Sequence, residues 1–180
     1  RQLTARRERL VSQRTRLKNR IQSTLAGLLV VVPVRTLFSR QGQKWLADCD
    51  LPACEKALVV SDVRLIAAVD KEIQTLDASI LQAAWNDARV RLLMTIPGVD
   101  YYTALTLIAA LGDLSRFKDG DHAASYLGLT PSVKQSANTC HYGPITKRGN
   151  SHARWMLTQT AQNMASHPGP LGVFFRRLAK

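Results

Sequence analysis

The 180-residue chain is 46% hydrophobic and 21% charged, with a formal net charge of +12 at pH 7, a composition that supports one ordinary folded domain plus an extension and excludes a disordered tail. Its three cysteines, Cys49, Cys54 and Cys140, form no C-x-x-C pair, so neither a disulfide framework nor a zinc knuckle is indicated and a reducing cytoplasm fits. The longest strongly apolar run, Leu28–Val32, stops at Pro33 and is far too short to span a bilayer; no signal peptide is visible, and an opening residue other than Met reads as part of a longer chain.

The charge sits at the two ends. Residues 1–20 hold eight Lys or Arg against Glu8 alone, residues 122–180 hold seven with no Asp or Glu, and the centre is slightly acidic. Clustered Lys and Arg displace counterions from phosphates, so two basic ends point to a polyanion gripped at two places. For the first segment, a solvated helix face explains the charge equally well.

In chain order, residues 1–29 place Leu3, Leu10, Leu17, Ile21, Leu25 and Leu28 on one face of a predicted helix. Pro33 and Gly42 then break the pattern, with a short helical stretch around Trp45 before Pro52. From Ala53 to about Ala88, Val59, Ile66, Ile73 and Ile80 recur at heptad spacing, and Val69, Leu76 and Ala83 follow the last three at the paired position. Such a seam requires a partner helix, either the first helix folded back or a second chain. A boundary near Asp87, where shorter helices with Gly, Pro and Ser turns begin, divides a helical coiled-coil linker, 1–86, from a carboxy-terminal domain, 87–180.

Leu93–Gly98 leads apolar residues into a Pro97-Gly98 turn, and Tyr101–Ile108 leaves it as a second apolar helix. The pattern is that of a helix-hairpin-helix, which aims hairpin amides at a DNA phosphate. Asp100 in the hairpin caps the second helix but repels phosphate, so a purely structural hairpin is an equal reading.

Thr130–Asn150 is rich in Gly, Pro, Ser and Asn and reads as a long loop or β-hairpin with short strands near Val133 and Ile145. A helix capped by Asn150 or Ser151 follows. Lys147, Arg148, the start of that helix and Arg154 are expected to converge on one phosphate. Residues 122–180 contain no carboxylate to hold a pair of metal ions, which leaves Ser132, Ser136, Ser151 or Tyr142 as side-chain nucleophiles; composition does not choose among them. Asp113 reads as a turn cap, and His141 and His152 are the available proton carriers.

From about Val90 onward, the residues Ile96-Pro97-Gly98-Val99, Gly112-Asp113 to Arg116-Phe117, Tyr126-Leu127-Gly128-Leu129-Thr130-Pro131, Gln135-Ser136 and Ile145-Thr146-Lys147-Arg148-Gly149-Asn150 to Arg154 stand in one order and spacing. Together they resemble the carboxy-terminal domain of insertion-sequence transposases that pair a DEDD RNase H-like domain with a serine transposase domain, a group that includes bridge-RNA-guided recombinases and pilin-gene DNA invertases. The Arg14–Ile21 segment resembles the start of that family's coiled-coil linker. The resemblance implies that Ser136 attacks DNA and forms a covalent phosphoserine, with Lys134, Lys147, Arg148, Asn150 and Arg154 on DNA phosphates. Ala137 stands where the family has glycine.

It further implies Mg²⁺ in an upstream RNase H-like domain and no metal or cofactor in this chain, which ends before the family's last helices and is not expected to complete strand exchange alone. DNA, a guide RNA and a homodimer or higher oligomer through the coiled coil are the expected partners, with no membrane, in a bacterial or archaeal cytoplasm near the nucleoid. The dimer is favoured for the seam on this ground. The other reading of the same residues is a non-catalytic DNA- or RNA-binding and dimerisation module, or an assembly coiled coil with incidental charge. The predicted fold is mainly α: long coiled-coil helices, then a small helical domain with a helix-hairpin-helix-like element and a loop or short β-hairpin carrying the serine.

Overall fold

A computed structural model describes residues 1–136 and 139–178. The order is α1 (Gln2–Gly27), α2 (Arg40–Asp48), α3 (Ala53–Trp85), α4 (Ala88–Leu93), α5 (Tyr101–Leu111), a 3-10 turn (Leu114–Arg116), α6 (Gly120–Tyr126), β1 (Pro131–Ser136), β2 (Thr139–Ile145), α7 (Ser151–Ala165) and α8 (Pro170–Leu178). The fold is mainly helical with one small antiparallel hairpin, as the pattern predicts. Among the described residues no helix is long and apolar enough to cross a membrane. The chain forms two compact units, Ala5–Asp77 and the remainder, and α3 runs through both.

In the first unit, α1 and α3 are antiparallel. As α1 advances from Arg7 through Arg14 to Arg20, the acidic partner on α3 retreats from Asp77 through Asp70 to Asp62. Along and beyond these ion pairs, Leu10, Leu17, Ile21 and Leu25 share one core with Val59, Ile66, Val69 and Ile73. The α3 seam is thus closed within the chain by the first helix, and the dimer expected through it loses that basis. The paired position also drifts: Ala83 is exposed and Ala84 is buried in its place. A straight helix at 3.6 residues per turn slips against a 3.5-residue repeat by about 20° per heptad, enough to move the contact one residue on.

Gly42, expected to break helical structure, lies inside α2 and buried. A Cβ there would stand 2.2 Å from the Leu37 carbonyl oxygen, so the residue serves close packing of the chain entering α2, whose start is capped by the Ser39 hydroxyl accepting from the Gly42 amide at 3.2 Å.

The second unit is built from short, individually capped helices. Asp87, Asp100, Asp113 and Asp119 each accept a backbone N–H at the start of α4, α5, the 3-10 turn and α6, which satisfies amides that a helix start leaves without partners. Its core includes the last turns of α3, where Ala84 packs with Val90, Val99 and Ala104 and Ile80 with Tyr102 and Met156. Leu107, Ala110, Leu127 and Ala153 bring α5, the end of α6 and α7 together.

Ile21 is fully buried, so Ile21→Ala is expected to cost about 2–5 kcal/mol, read by urea denaturation. The intramolecular seam further predicts a melting temperature independent of chain concentration; a rise with concentration would put the partner helix on a second chain. At the α6 cap, the His122 imidazole lies 2.7 Å from Asp119, whose hydrogen bond, then charge, raises the His122 pKa. A raised pKa contributes stability below the ordinary imidazole range that is lost as pH rises through the folded value. An NMR titration should place the His122 midpoint above that of a free imidazole, and Asp119→Asn should bring it back.

Candidate functional site

The hairpin of β1 and β2 projects an exposed arm: of its described residues, only Ser132 is even half-buried. A lone two-stranded hairpin is marginally stable in water, so the geometry at its root decides whether Ser136 has a fixed position.

That root is a close approach of two backbone segments. Gly128 and Gly149 both adopt positive φ, 72° and 82°, a region that disfavours residues with a Cβ. A Cβ on Gly128 would lie 2.1 Å from the Arg148 oxygen, and one on Gly149 would lie 2.2 Å from the Tyr126 oxygen. Across this contact the Thr146 amide donates to the Thr130 carbonyl at 3.0 Å and the Lys147 amide to the Gly128 carbonyl at 3.1 Å. Arg154 then ties the two sides: its Nη1 donates to the Leu127 carbonyl at 2.9 Å and the Arg148 carbonyl at 2.7 Å. The motif residues from Tyr126 to Pro131 and from Thr146 to Arg154 are therefore neighbours in space because they build one joint.

Two of the residues expected on phosphate also serve this joint. Asn150 caps α7, its side-chain oxygen accepting from the Ala153 amide at 3.0 Å, and Arg154 is half-buried with a guanidinium nitrogen on two carbonyls. Lys147 and Arg148 remain exposed beside them, with Lys147 held at φ 55°. Arg154 thereby fixes the loop on which Lys147 and Arg148 stand.

Along the arm, the antiparallel register pairs Lys134 with His141, Gln135 with Cys140 and Ser136 with Thr139. Alternation of side chains places Lys134, Ser136, Thr139 and His141 on one face. Ser136 and His141 are diagonal neighbours there, a relation that sets side chains about 7–8 Å apart. The other face carries Val133 and Tyr142, directly opposed and 53% and 74% exposed. Sequence spacing shows Lys134 and Ser136 two residues apart; only the register adds His141. Ala137 lies outside the described residues.

His152, the second candidate proton carrier, is placed elsewhere. Its Nε2 is 2.9 Å from the Tyr102 hydroxyl, and its ring stacks against Trp155. Asp113 caps the 3-10 turn, accepting from the Ser115 amide at 3.0 Å; that bond and the Ser115 hydroxyl hold its carboxyl below the ordinary range. Near it, Arg116 lies between the Phe117 and Tyr126 rings, 4.6 and 4.3 Å from their centroids.

If the joint holds the arm, Arg154→Ala should destabilise the second unit by about 1–3 kcal/mol by stripping two carbonyls of a charged donor. Hydrogen exchange should quicken first at the Thr146 and Lys147 amides; unchanged protection there would refute the joint.

Comparison with known proteins supplies the context of this arm. Residues 90–173 match the model of the transposase IS116/IS110/IS902 family. The chain is 28% identical over 163 residues, 87% of its length and 47% of the relative's, to a probable family 20 transposase of Pseudomonas aeruginosa. It is 30% identical over 122 residues, 67% of its length and 31% of the relative's, to an uncharacterized 44.8 kDa protein of insertion element IS116 from Streptomyces clavuligerus. A pilin gene-inverting protein of Moraxella bovis is 45% identical over 53 residues, 29% of this chain and 16% of the relative. The chain thus spans less than half the length of these curated relatives. Over residues 90–173, which hold the arm, its joint and all of α7, this chain matches the transposase IS116/IS110/IS902 family.

Proposed function

We propose that this chain is the carboxy-terminal part of a DNA transposase or site-specific recombinase, in which Ser136 attacks a DNA phosphodiester. The observation that carries the reading is Ser136 standing exposed on a projecting arm, on the same face as Lys134, within the stretch that matches the transposase family.

The step is a transesterification. Ser136 Oγ forms a bond to phosphorus, the phosphorus bond to a deoxyribose oxygen breaks, and that oxygen departs taking a proton; the serine proton passes to a base. In this reading His141, which shares a face with Ser136, accepts it through one intervening water. Lys134 on the same face stabilises the charge developing on the phosphoryl oxygens, while Lys147 and Arg148, a strand's length from Ser136 at the root, hold neighbouring phosphates of the same DNA. Joining the phosphoserine to another strand reverses the step.

Metal chemistry belongs, in this reading, to a separate RNase H-like domain with Mg²⁺. The donor set here does not fit such a site: residues 122–180 hold no carboxylate, and the described residues contain no group of three His, Cys, Asp or Glu able to hold a metal ion. A guide RNA and a second copy of the protein complete the proposed assembly, the copy contributing through surfaces other than the closed α1–α3 seam.

In the protein with its upstream segment restored, Ser136→Ala should abolish a detergent-stable DNA adduct and lower recombination by several orders of magnitude, with duplex binding retained. An adduct that persists, or that maps to Ser132, Ser151 or Tyr142, would overturn the assignment. Binding of duplex DNA should weaken steeply with salt, and Lys147→Ala should reduce the slope of log affinity against log salt by about one.

A further inference from the structure

The second unit carries a cleft of about 410 Å³ between α7 and the turn that opens α5. Trp155 stands at its edge, 55% exposed. The indole stacks on the His152 imidazole, with centroids 6.0 Å apart and planes inclined by 14°, and His152 is in turn hydrogen bonded to Tyr102. Its orientation is therefore fixed while more than half of its surface meets solvent.

Gln159 and Asn163 follow Trp155 at four-residue spacing and line the same cleft, so both amides share its face of α7. Opposite them is Asp100, one carboxylate oxygen of which accepts the Thr103 amide at 2.7 Å. Among the described residues no Lys or Arg lines the cleft. A carboxylate without a cation rejects a phosphate group, which removes the ligand that the rest of this basic surface attracts.

What the lining accepts is a neutral planar group with donors and acceptors around its edge. The indole offers a stacking face. The two amides match the adjacent donor and acceptor of a base edge, and a carboxylate accepts from an exocyclic amine. Residues 122–180 carry seven basic side chains and no acid, so such a group would arrive attached to phosphates.

We propose that the cleft between α7 and the Gly98–Thr103 turn receives an unpaired nucleobase, stacked on Trp155 and held at its edge by Gln159 and Asn163. The inference rests on the nucleic-acid reading above and adds a subsite to it. A base inside a duplex has both faces covered, so the ligand is a single-stranded or flipped-out nucleotide of DNA or RNA.

The chain has three tryptophans; with Trp45→Phe and Trp85→Phe in place, Trp155 is the sole indole reporter. A short single-stranded DNA, an RNA of the same sequence and a blunt DNA duplex are titrated at low salt, with circular dichroism as the folding control. Either single strand should quench Trp155, and the stronger quencher identifies the strand's source. In the otherwise unsubstituted chain, Trp155→Ala should weaken single-strand binding about tenfold, the scale of one base–aromatic stack, with duplex binding unchanged. Trp155→Phe should retain most of that affinity, and Gln159→Ala, at an exposed position, should reduce it severalfold. Single-strand binding unaffected by both Trp155→Ala and Gln159→Ala, or equal quenching by inorganic polyphosphate, overturns the subsite even if duplex binding persists. Failure of every nucleic acid to bind overturns the functional reading as well.

Discussion

The arm has a defined root because two backbone segments touch there without side chains between them. Gly128 lies against Arg148, and Gly149 against Tyr126, at separations that leave no space for a Cβ. Once the segments are that close, the Gly128 and Thr130 carbonyls meet the Lys147 and Thr146 amides, and the Leu127 and Arg148 carbonyls come within reach of one guanidinium nitrogen. Arg154 is carried by α7, whose start is fixed by Asn150, so the helix cap, the clamp and the arm form a single mechanical chain. Widening the contact would strip partners from several backbone groups together, which gives the joint its stiffness.

This arrangement changes what the basic residues mean. Arg154 acts first on the protein's own carbonyls, and Arg7, Arg14 and Arg20 pair with Asp77, Asp70 and Asp62. The charge at residues 1–20 is therefore partly structural. In that unit the ion pairs flank an apolar seam and help fix the antiparallel direction of α1 against α3, a role in specificity more than in raw stability. Lys134, Lys147 and Arg148, by contrast, stand exposed.

The second unit uses one chemical device repeatedly. Aspartates at positions 87, 100, 113 and 119 each start a short helical segment, and short helices depend on such caps because they contain few internal hydrogen bonds. Asp100 illustrates the consequence for ligands. The carboxylate that makes the Gly98 turn a good helix start makes it a poor phosphate site, and the same carboxylate suits the cleft beside Trp155 to a neutral partner.

Much of this architecture was written in local pattern. Heptad spacing marked α3, the leucines marked α1, and Gly, Pro and Asn content marked the hairpin, because periodicity and turn chemistry act over a few residues. The seam's partner was not legible, since a heptad face is satisfied equally by a second chain or by α1 folded back. Gly42 reads as a break in the pattern, whereas the Leu37 carbonyl brought near by the loop demands it inside α2, and side-chain type alone does not show that Asn150 and Arg154 also bond within the chain. By itself, the sequence determined the elements, the uneven charge and the set of nucleophiles from which Ser136 was drawn by resemblance. Tertiary structure decided which cations pair within the chain, that His141 shares a face with Ser136 and that Trp155 borders a cleft, because register and packing join residues that spacing keeps apart.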